Sequence, residues 1–497
     1  MGEPPPPVSR TTPTRRRVLG AGLAMAASSA MPAAPRAEAM PVLDDASRLT
    51  PTPVARHVVL GPDPDAALLA RLRAELREAA AAGRPVALGA ARHSMGGQSL
   101  AAGGTALTFA PGGCFPDQAA GTFHAGAGTR WRDVIAALDP LGLSPAVMQS
   151  NNDFGVASSF SVNAHGWPVP RGPFGATVRA LRLMLADGAV VACSRGENAE
   201  LFRAAMGGYG LLGIVLDLEV EAVPNRLLAP SFQVLPAAAF AARFVALCAD
   251  PAVAMAYGRL NVAVRGFLAE ALMVGYRPVP VPRTGLARAG TGGPAIALAR
   301  EVYRGQTGSE AGKRLRWYAE TEVAPHAPGN RATRNRLLNE PVANLADRAP
   351  GRTDILHEYF VPPDRLADFL LACREVIPRS RQELLNVTLR FVGADPTSLL
   401  AYAPAPRIAA VMAFSQRRTA EAEVDMRRMT QALVDAALGL GGSFYLPYRL
   451  HARREQVERA YPGLARFAAL KRRHDPGLLF RNALWDAWLA TPSAGKG

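Results

Sequence analysis

The sequence predicts an α+β protein with two unlike halves. Three observations point that way. Short strand and helix patterns alternate with glycine-rich turns as far as residue 225. Longer helices and strands with few glycine loops then run from 226 to about 420. No internal repeat relates the two stretches. The 497 residues are 49% hydrophobic and 20% charged, which gives ample core and excludes a disordered or collagen-like chain.

The elements follow in chain order. Leucine and alanine at helical spacing over 63–82, with Asp65 near the start and Gly83 as a stop, predict a helix. Residues 85–89 read as a buried strand, followed by a loop of small residues over 90–99. Strands are expected at 105–109 and 122–128, and a helix at 130–138. Residues 178–185 and 189–193 flank Asp187-Gly188, the turn chemistry of a hairpin. A short helix over 198–206, a glycine-rich turn over 207–213 and a strand over 214–223 stopped by Pro224 complete the first half. The second half carries a helix at 364–376 and strands at 383–392 and 408–414. Its Pro/Gly-rich stretches, 278–294 and 325–330, read as loops. The last segment holds a helix over 420–438, Gly441-Gly442, a short strand over 443–446, and one or two helices to about 473.

The formal net charge is +15, and all but Lys313, Lys471 and Lys496 of the 56 basic residues are arginine. They are scattered, with no basic run and no basic–aromatic ladder, which argues against nucleic acid as a partner. Affinity for anionic surfaces stays open. Cys114, Cys193, Cys248 and Cys373 form no CxxC pair, so no metal site is expected. A disulfide stays open, because spacing does not fix distance.

Residues 1–39 read as an export leader. T-R-R-R-V-L-G at 14–20 is similar to a twin-arginine signal. The apolar stretch 18–27 is too short to span a bilayer, and Ala37-Glu38-Ala39 offers a cleavage site. No later run of 18 apolar residues occurs, so the mature chain is expected to have no integral membrane segment and to work in the periplasm or outside the cell.

Three runs of small residues carry the chemistry. They are the loop 89–99, the stretch 155–166 and the turn 207–213. Backbone amides approach a phosphate closely only where side chains are absent. Three such runs suggest an extended anionic ligand such as a dinucleotide. None matches G-x-x-x-x-G-K-[ST], and the G-x-G-x-x-G pattern fails because Trp131 stands where the third glycine belongs.

Four segments together resemble the vanillyl-alcohol-oxidase family, the PCMH-type FAD-binding flavoproteins. They are Arg92-His93-Ser94-Met95-Gly96-Gly97-Gln98, the stretch from Gly155 to Gly166, Asp187-Gly188 with N-x-E-L-F at 198–202 and the 207–215 turn, and Lys471 to Pro476 with Asn482. Cytokinin-dehydrogenase-like and sugar-alcohol- or lactone-oxidase-like branches are nearest. The resemblance implies a two-part FAD-binding domain over 50–225, with residues 421–497 returning to the flavin. A substrate domain over 226–420, built on an antiparallel sheet flanked by helices, is inserted between them. It implies FAD contacts from Ala91, Arg92, His93, Ser94, Met95, Gly96, Gly97 and Gln98. It implies more from Gly155, Val156, Ala157, Ser158, Ser159, Ser161, Asn163 and Gly166, and from Gly213, Ile214, Val215 and Asn482.

His93 stands where many relatives bond the flavin 8α-methyl carbon. Residues 145–166 contain no cysteine, so a single covalent link is expected. The implied reaction is hydride transfer to flavin N5 from an alcohol or amine carbon of a small or sugar-like substrate. Electrons then pass to oxygen or another acceptor. Arg390 matches the strand arginine that faces the flavin, although Thr388 replaces the glutamate usual in sugar-alcohol oxidases. An ordinary ion-paired arginine is the alternative. Tyr448, Arg449 and His451 are further catalytic candidates, unordered, and Asp153 is a candidate base by analogy with the cytokinin branch. Two other functions stay open: an enzyme of lipid-linked sugars or sterols, and a flavin-binding protein without turnover.

Overall fold

The computed structural model describes residues 1–2, 40–62, 65–281, 285–327, 329–342, 347 and 349–490. The leader motif at 14–20 and its cleavage site lie outside the described residues. Met40–Gly497 forms one unit and Met1–Ala39 another.

Three sheets position the site. The first is parallel, in the order Arg56–Leu60, Thr105–Phe109, Val86–Gly89. The helix Asp65–Ala81 makes one of the crossovers that parallel pairing requires. Phe480 adds a bridge to Val86, so the C-terminal segment closes onto the edge of this sheet. The second sheet is antiparallel. Its order is Val190–Ser194, Val178–Met184, Ile214–Pro224, Thr122–Gly126, Cys114–Asp117, with Leu143–Pro145 also on Ile214–Pro224.

The third sheet has eight antiparallel strands drawn from residues 227–444. Four of its neighbours matter here, in the order Met255–Leu260, Glu383–Val392, Arg407–Arg417, Arg352–Val361. Strand side chains alternate between faces, and directly paired residues share one. Val387 and Leu389 therefore lie with His357 and Tyr359, against the helices Leu366–Val376 and Ala420–Gly439. Tyr359 packs on Phe369 with ring centroids 5.3 Å apart. Gly258 also faces this side, under the helix Ala237–Ala249. A Cβ there would come within 2.3 Å of the Phe240 ring. The opposite face carries Asn386, Thr388, Arg390, Glu358 and Arg259.

Several expectations need correction. The stretch 155–166 is not a loop throughout. Val156–Ser161 is a helix with Gly155 as its N-cap, because a run of small residues can coil once Gly155 supplies the extended cap. The strand expected over 443–446 stops at Phe444, where the Gln98 side chain takes up the Leu446 carbonyl. A further helix, Ala483–Trp488, follows the two that end at His474. Asn482 caps it by accepting from Trp485 N at 3.1 Å. Pro224 closes its strand from inside rather than stopping it from outside. All four cysteines are free thiols, three of them buried.

Candidate cofactor and active site

The loop after Val86–Gly89 is docked from behind. Gln98 Nε2 donates to the carbonyls of Leu446 (2.7 Å) and Tyr448 (2.8 Å), and Met95 N donates to Pro447 O at 2.8 Å. Gly96 fits because a Cβ would lie 2.5 Å from the Tyr448 carbonyl. Gly97, at φ +72°, donates its N–H to Asp45 at 2.8 Å. Asn482 donates to the Gln98 and Tyr209 carbonyls at 2.8 and 3.0 Å.

This docking turns the other side of the loop toward a cavity of about 220 Å³. Ala91, Arg92, His93, Ser94 and Gln98 line it. So do Gly155, Ala157, Ser158, Ser159 and Ser161, then Gly213, Ile214 and Val215. Met95, Gly96, Gly97, Val156, Asn163, Gly166 and Asn482 do not. They hold the lining in place. Val156 is in the core, and a Cβ on Gly166 would meet the Met148 carbonyl at 1.9 Å. Asn163, at φ +47°, donates to Asp395 at 2.8 Å and accepts from Gly175 N at 2.9 Å.

A larger cavity of about 720 Å³ shares Phe109 and Ala127 with this one and lies between the first two sheets. Its lining residues include Gly112, Gly113, Gly126 and Gly128.

The residues present fit FAD. The cradle is small-sided where a diphosphate needs close backbone approach. A Cβ on Gly155 would lie 3.2 Å from an Arg130 guanidinium nitrogen. Arg92, on the cavity wall, has its Nε buried without a hydrogen-bond partner, which an anion would satisfy, and Arg130 Nη1, behind Gly155, is likewise unpaired. Burial pulls both arginines below their ordinary pKa. His93 stacks on Phe154 at 4.2 Å and lies 3.9 Å from the Asp153 carboxylate. Burial lowers its pKa, with Arg130 acting the same way and Asp153 against. Asp153 itself accepts from Val342 N at 3.2 Å.

The eight-stranded sheet closes the cavity. Leu356, Glu358, Arg390 and Val411 line it from that side, with Tyr445 and Tyr448 beside them. Glu358 is buried, and both its oxygens are engaged. One pairs with His165 Nε2, and the other accepts from the Tyr448 hydroxyl at 3.1 Å. His165 also lines the cavity, among Phe360, Tyr402 and Tyr445 at 5.4 to 6.1 Å. Its Nδ1 is buried and has no hydrogen-bond partner. Burial and the Glu358 carboxylate push the Tyr448 phenol well above its ordinary pKa, so it remains a donor. Arg390 donates to Ser150 Oγ at 2.5 Å, and its Nε is buried without a partner.

Of the catalytic candidates, Arg390 and Tyr448 reach the cavity and Arg449 and His451 do not. Arg449 pairs with Glu423 and donates to the Met95 carbonyl at 3.1 Å and to Thr50 at 2.7 Å. His451 is bonded to Glu423 at 2.8 Å and Thr430 at 3.1 Å, on the helix side of the sheet. The chain turns at 446–447 and bends at Tyr448, which leaves Tyr448 on the cavity and Arg449 and His451 on Glu423. Sequence reasoning missed His165 and Glu358 as functional groups. His165 carried a usable signal, its place inside the second small-residue run. Glu358 carried none, since its partners lie 193 and 90 residues away in sequence.

A small-residue cradle beside the first two sheets, with His165 at its edge and a third sheet that brings a carboxylate and a guanidinium to it, defines a candidate nucleotide-cofactor site. Residues 68–194 match the family described as FAD binding domain. Over that segment the chain is similar to PCMH-type FAD-binding domains. It is similar to L-gulonolactone oxidase of Mus musculus, with 35% identity over 107 residues, 21% of this chain and 24% of that protein. It is similar to alditol oxidase of a Streptomyces species, with 33% identity over 108 residues, 22% of this chain and 26% of that one. Cytokinin dehydrogenase 7 of Oryza sativa subsp. japonica shares 33% over 147 residues, 28% of each chain. The chain spans about a quarter of the length of these curated relatives.

Proposed function

We propose that the protein is an FAD-dependent oxidoreductase that takes two hydrogens from a CH–OH, or less readily a CH–NH, centre of a small substrate and passes the electrons to oxygen or another acceptor. The observation that carries this reading is the buried His165–Glu358 pair opening on the cofactor cavity. FAD, when bound, supplies the two-electron acceptor.

The chain's own residues supply the rest. His165 Nδ1, buried and unpartnered, takes the substrate hydroxyl proton, while Glu358 holds Nε2 and stabilises the imidazolium that forms. Tyr448 fixes the second Glu358 oxygen. Arg390 offers a desolvated guanidinium to a substrate oxygen. The third sheet forms one wall of the cavity through Leu356, Glu358, Arg390 and Val411. His93, stacked on Phe154 in the cavity wall, is the proposed point of covalent attachment to the flavin 8α-methyl carbon. Residues 50–225 and 421–497 act as the cofactor part and 226–420 as the substrate part.

The test is a spectrum of the purified protein, followed by anaerobic titration with polyols, aldoses, lactones and primary alcohols. A yellow protein bleached by one of these classes supports the reading. A colourless protein that takes up no added FAD overturns it. For the attachment, acid-precipitated wild type should stay yellow and His93→Ala should release its flavin. Complete release from wild type by acid would remove the covalent bond from the scheme.

A further inference from the structure

We propose that the substrate carries an anionic oxygen group, a carboxylate or a phosphate, held between Arg390 and Arg259 while its oxidisable carbon faces His165 and Glu358. The proposal rests on the oxidoreductase reading of the same cavity.

The sheet sets out the charges in one line. Glu358 pairs with Val411, Val411 with Thr388, and Thr388 with Arg259, so all four share one sheet face in one cross-strand row; Glu358, Val411 and Arg390 line the cavity, and Thr388 and Arg259 continue the same face past its wall. Three interstrand steps separate the ends of that row, roughly 15 Å of backbone. Arg390 stands two residues along from Thr388 on the same face. Glu358 is thus at one end and Arg259 at the other, with Arg390 on the strand between them, next to that of Arg259.

Those two guanidiniums differ from their neighbours. Arg304 pairs with Asp354, Arg316 with Glu320 at 3.0 Å and Arg352 with Glu383 at 3.3 Å. Among the described residues, the hydrogen-bond partners of Arg390 and Arg259 are neutral. Arg390 has Ser150 alone, and its buried Nε has no partner. Arg259 donates from Nη1 to Thr388 and, at 3.3 Å, to Asn386. Its guanidinium lies 5.2 Å over the Tyr257 ring, which packs on Trp167 at 5.0 Å.

Arg390 is desolvated, with Glu358 attracting it and Arg259 repelling it, and a neutral polyol would leave that repulsion in place. An anionic group bonded to both relieves the repulsion and satisfies the orphaned Nε with charge-assisted hydrogen bonds. The planar forks suit the oxygens of a carboxylate or phosphate. Oxidation leaves this group unchanged: the substrate loses its carbon-bound hydrogen with two electrons to the flavin and its hydroxyl proton to His165.

The experiment compares gluconate, glucitol phosphate and glucitol on the flavin-loaded protein. Binding is read by calorimetry and by perturbation of the flavin spectrum, and turnover by anaerobic bleaching. At least one of the two anions should bind roughly 10- to 100-fold tighter than glucitol, the difference between charge-assisted and neutral hydrogen bonding. That advantage should shrink with added salt and collapse in Arg259→Gln. Arg259→Lys should restore part of it. Equal binding of glucitol and both anions to wild type, or no binding of either anion, overturns the proposal without any variant. If no compound bleaches the flavin yet an anion keeps its advantage, the oxidoreductase reading falls and the anion site stands. If glucitol bleaches the flavin and neither anion has an advantage, the anion site falls and the oxidoreductase reading stands.

Discussion

Glu358 joins the two halves of the proposed chemistry, since its oxygens hold both His165 and Tyr448. Glu358→Gln keeps the shape but removes the charge that would stabilise a protonated His165. Flavin reduction should slow by about 10²–10⁴, the range for losing a positioned acid–base group, with flavin content unchanged. Stopped-flow reduction under anaerobic conditions measures it, and a rate within threefold of wild type would assign the pair a purely structural role. Arg390→Ala should slow the same step by about 10²–10³. Arg390→Lys should recover only part, because Lys lacks the planar fork. Position in the chain is a poor guide at this scale. Tyr448, Arg449 and His451 are near neighbours in sequence, yet one faces the cavity and two face Glu423.

The loop 90–99 works as an element only because the segment 446–450 lies behind it. Gly96→Ala would place a Cβ 2.5 Å from the Tyr448 carbonyl and 2.9 Å from Gln98 Nε2. One must move, which should cost about 1–3 kcal/mol and lower the flavin content of the purified protein. Gly196, with nothing within 4 Å of its Cβ position and no left-handed φ, is the matched control and should tolerate alanine. Absorbance ratio and thermal unfolding together decide the point, and a fully loaded Gly96→Ala protein would contradict it. Strands and helices of the first half were legible because each carries its own periodicity and turn residues. The hairpin at Asp187-Gly188 is one example. The helix within 155–166 was not legible, because a run of small residues has no amphipathic pattern to read.

Across the whole molecule, the C-terminal segment ties the first sheet to the third, and part of that tie is electrostatic. Glu423 is held below the ordinary carboxylate range. Burial acts against this, but the His451 hydrogen bond and the His451 and Arg449 charges outweigh it. A depressed folded pKa means the stabilisation is present above the unfolded value, near 4.5, and lost as pH falls through the folded one. Glu423→Gln should therefore lose about 1.5–3 kcal/mol at neutral pH. Its denaturant midpoint should converge with that of wild type in acid, and a gap constant down to low pH would show that Glu423 titrates normally. No helix among the described residues is long and apolar enough to cross a membrane. We propose export by the twin-arginine route from Arg15-Arg16. Changing both to Lys should leave precursor in the cytoplasm, which fractionation and blotting would detect, because the pathway reads guanidinium geometry.

By itself the sequence marked the three small-residue runs, and Ala91 to Ser94, Gly155 and Gly213 of those runs line the cavity. What makes a glycine necessary there comes from elsewhere in the chain: a Cβ on Gly155 would meet Ala90 and Arg130, and one on Gly213 the Met184 carbonyl. Arg390 and Tyr448 were also legible, but the proposed His165–Glu358 pair was decided by tertiary structure. Glu358 meets His165 across 193 residues, and it shares a face with Arg390 and Arg259 only through strand register. Pairing two strands one residue out of step would send every one of those side chains to the opposite face of the sheet. That register is set by packing against the helices behind it, where Phe240 fills the space over Gly258, and no short motif records it.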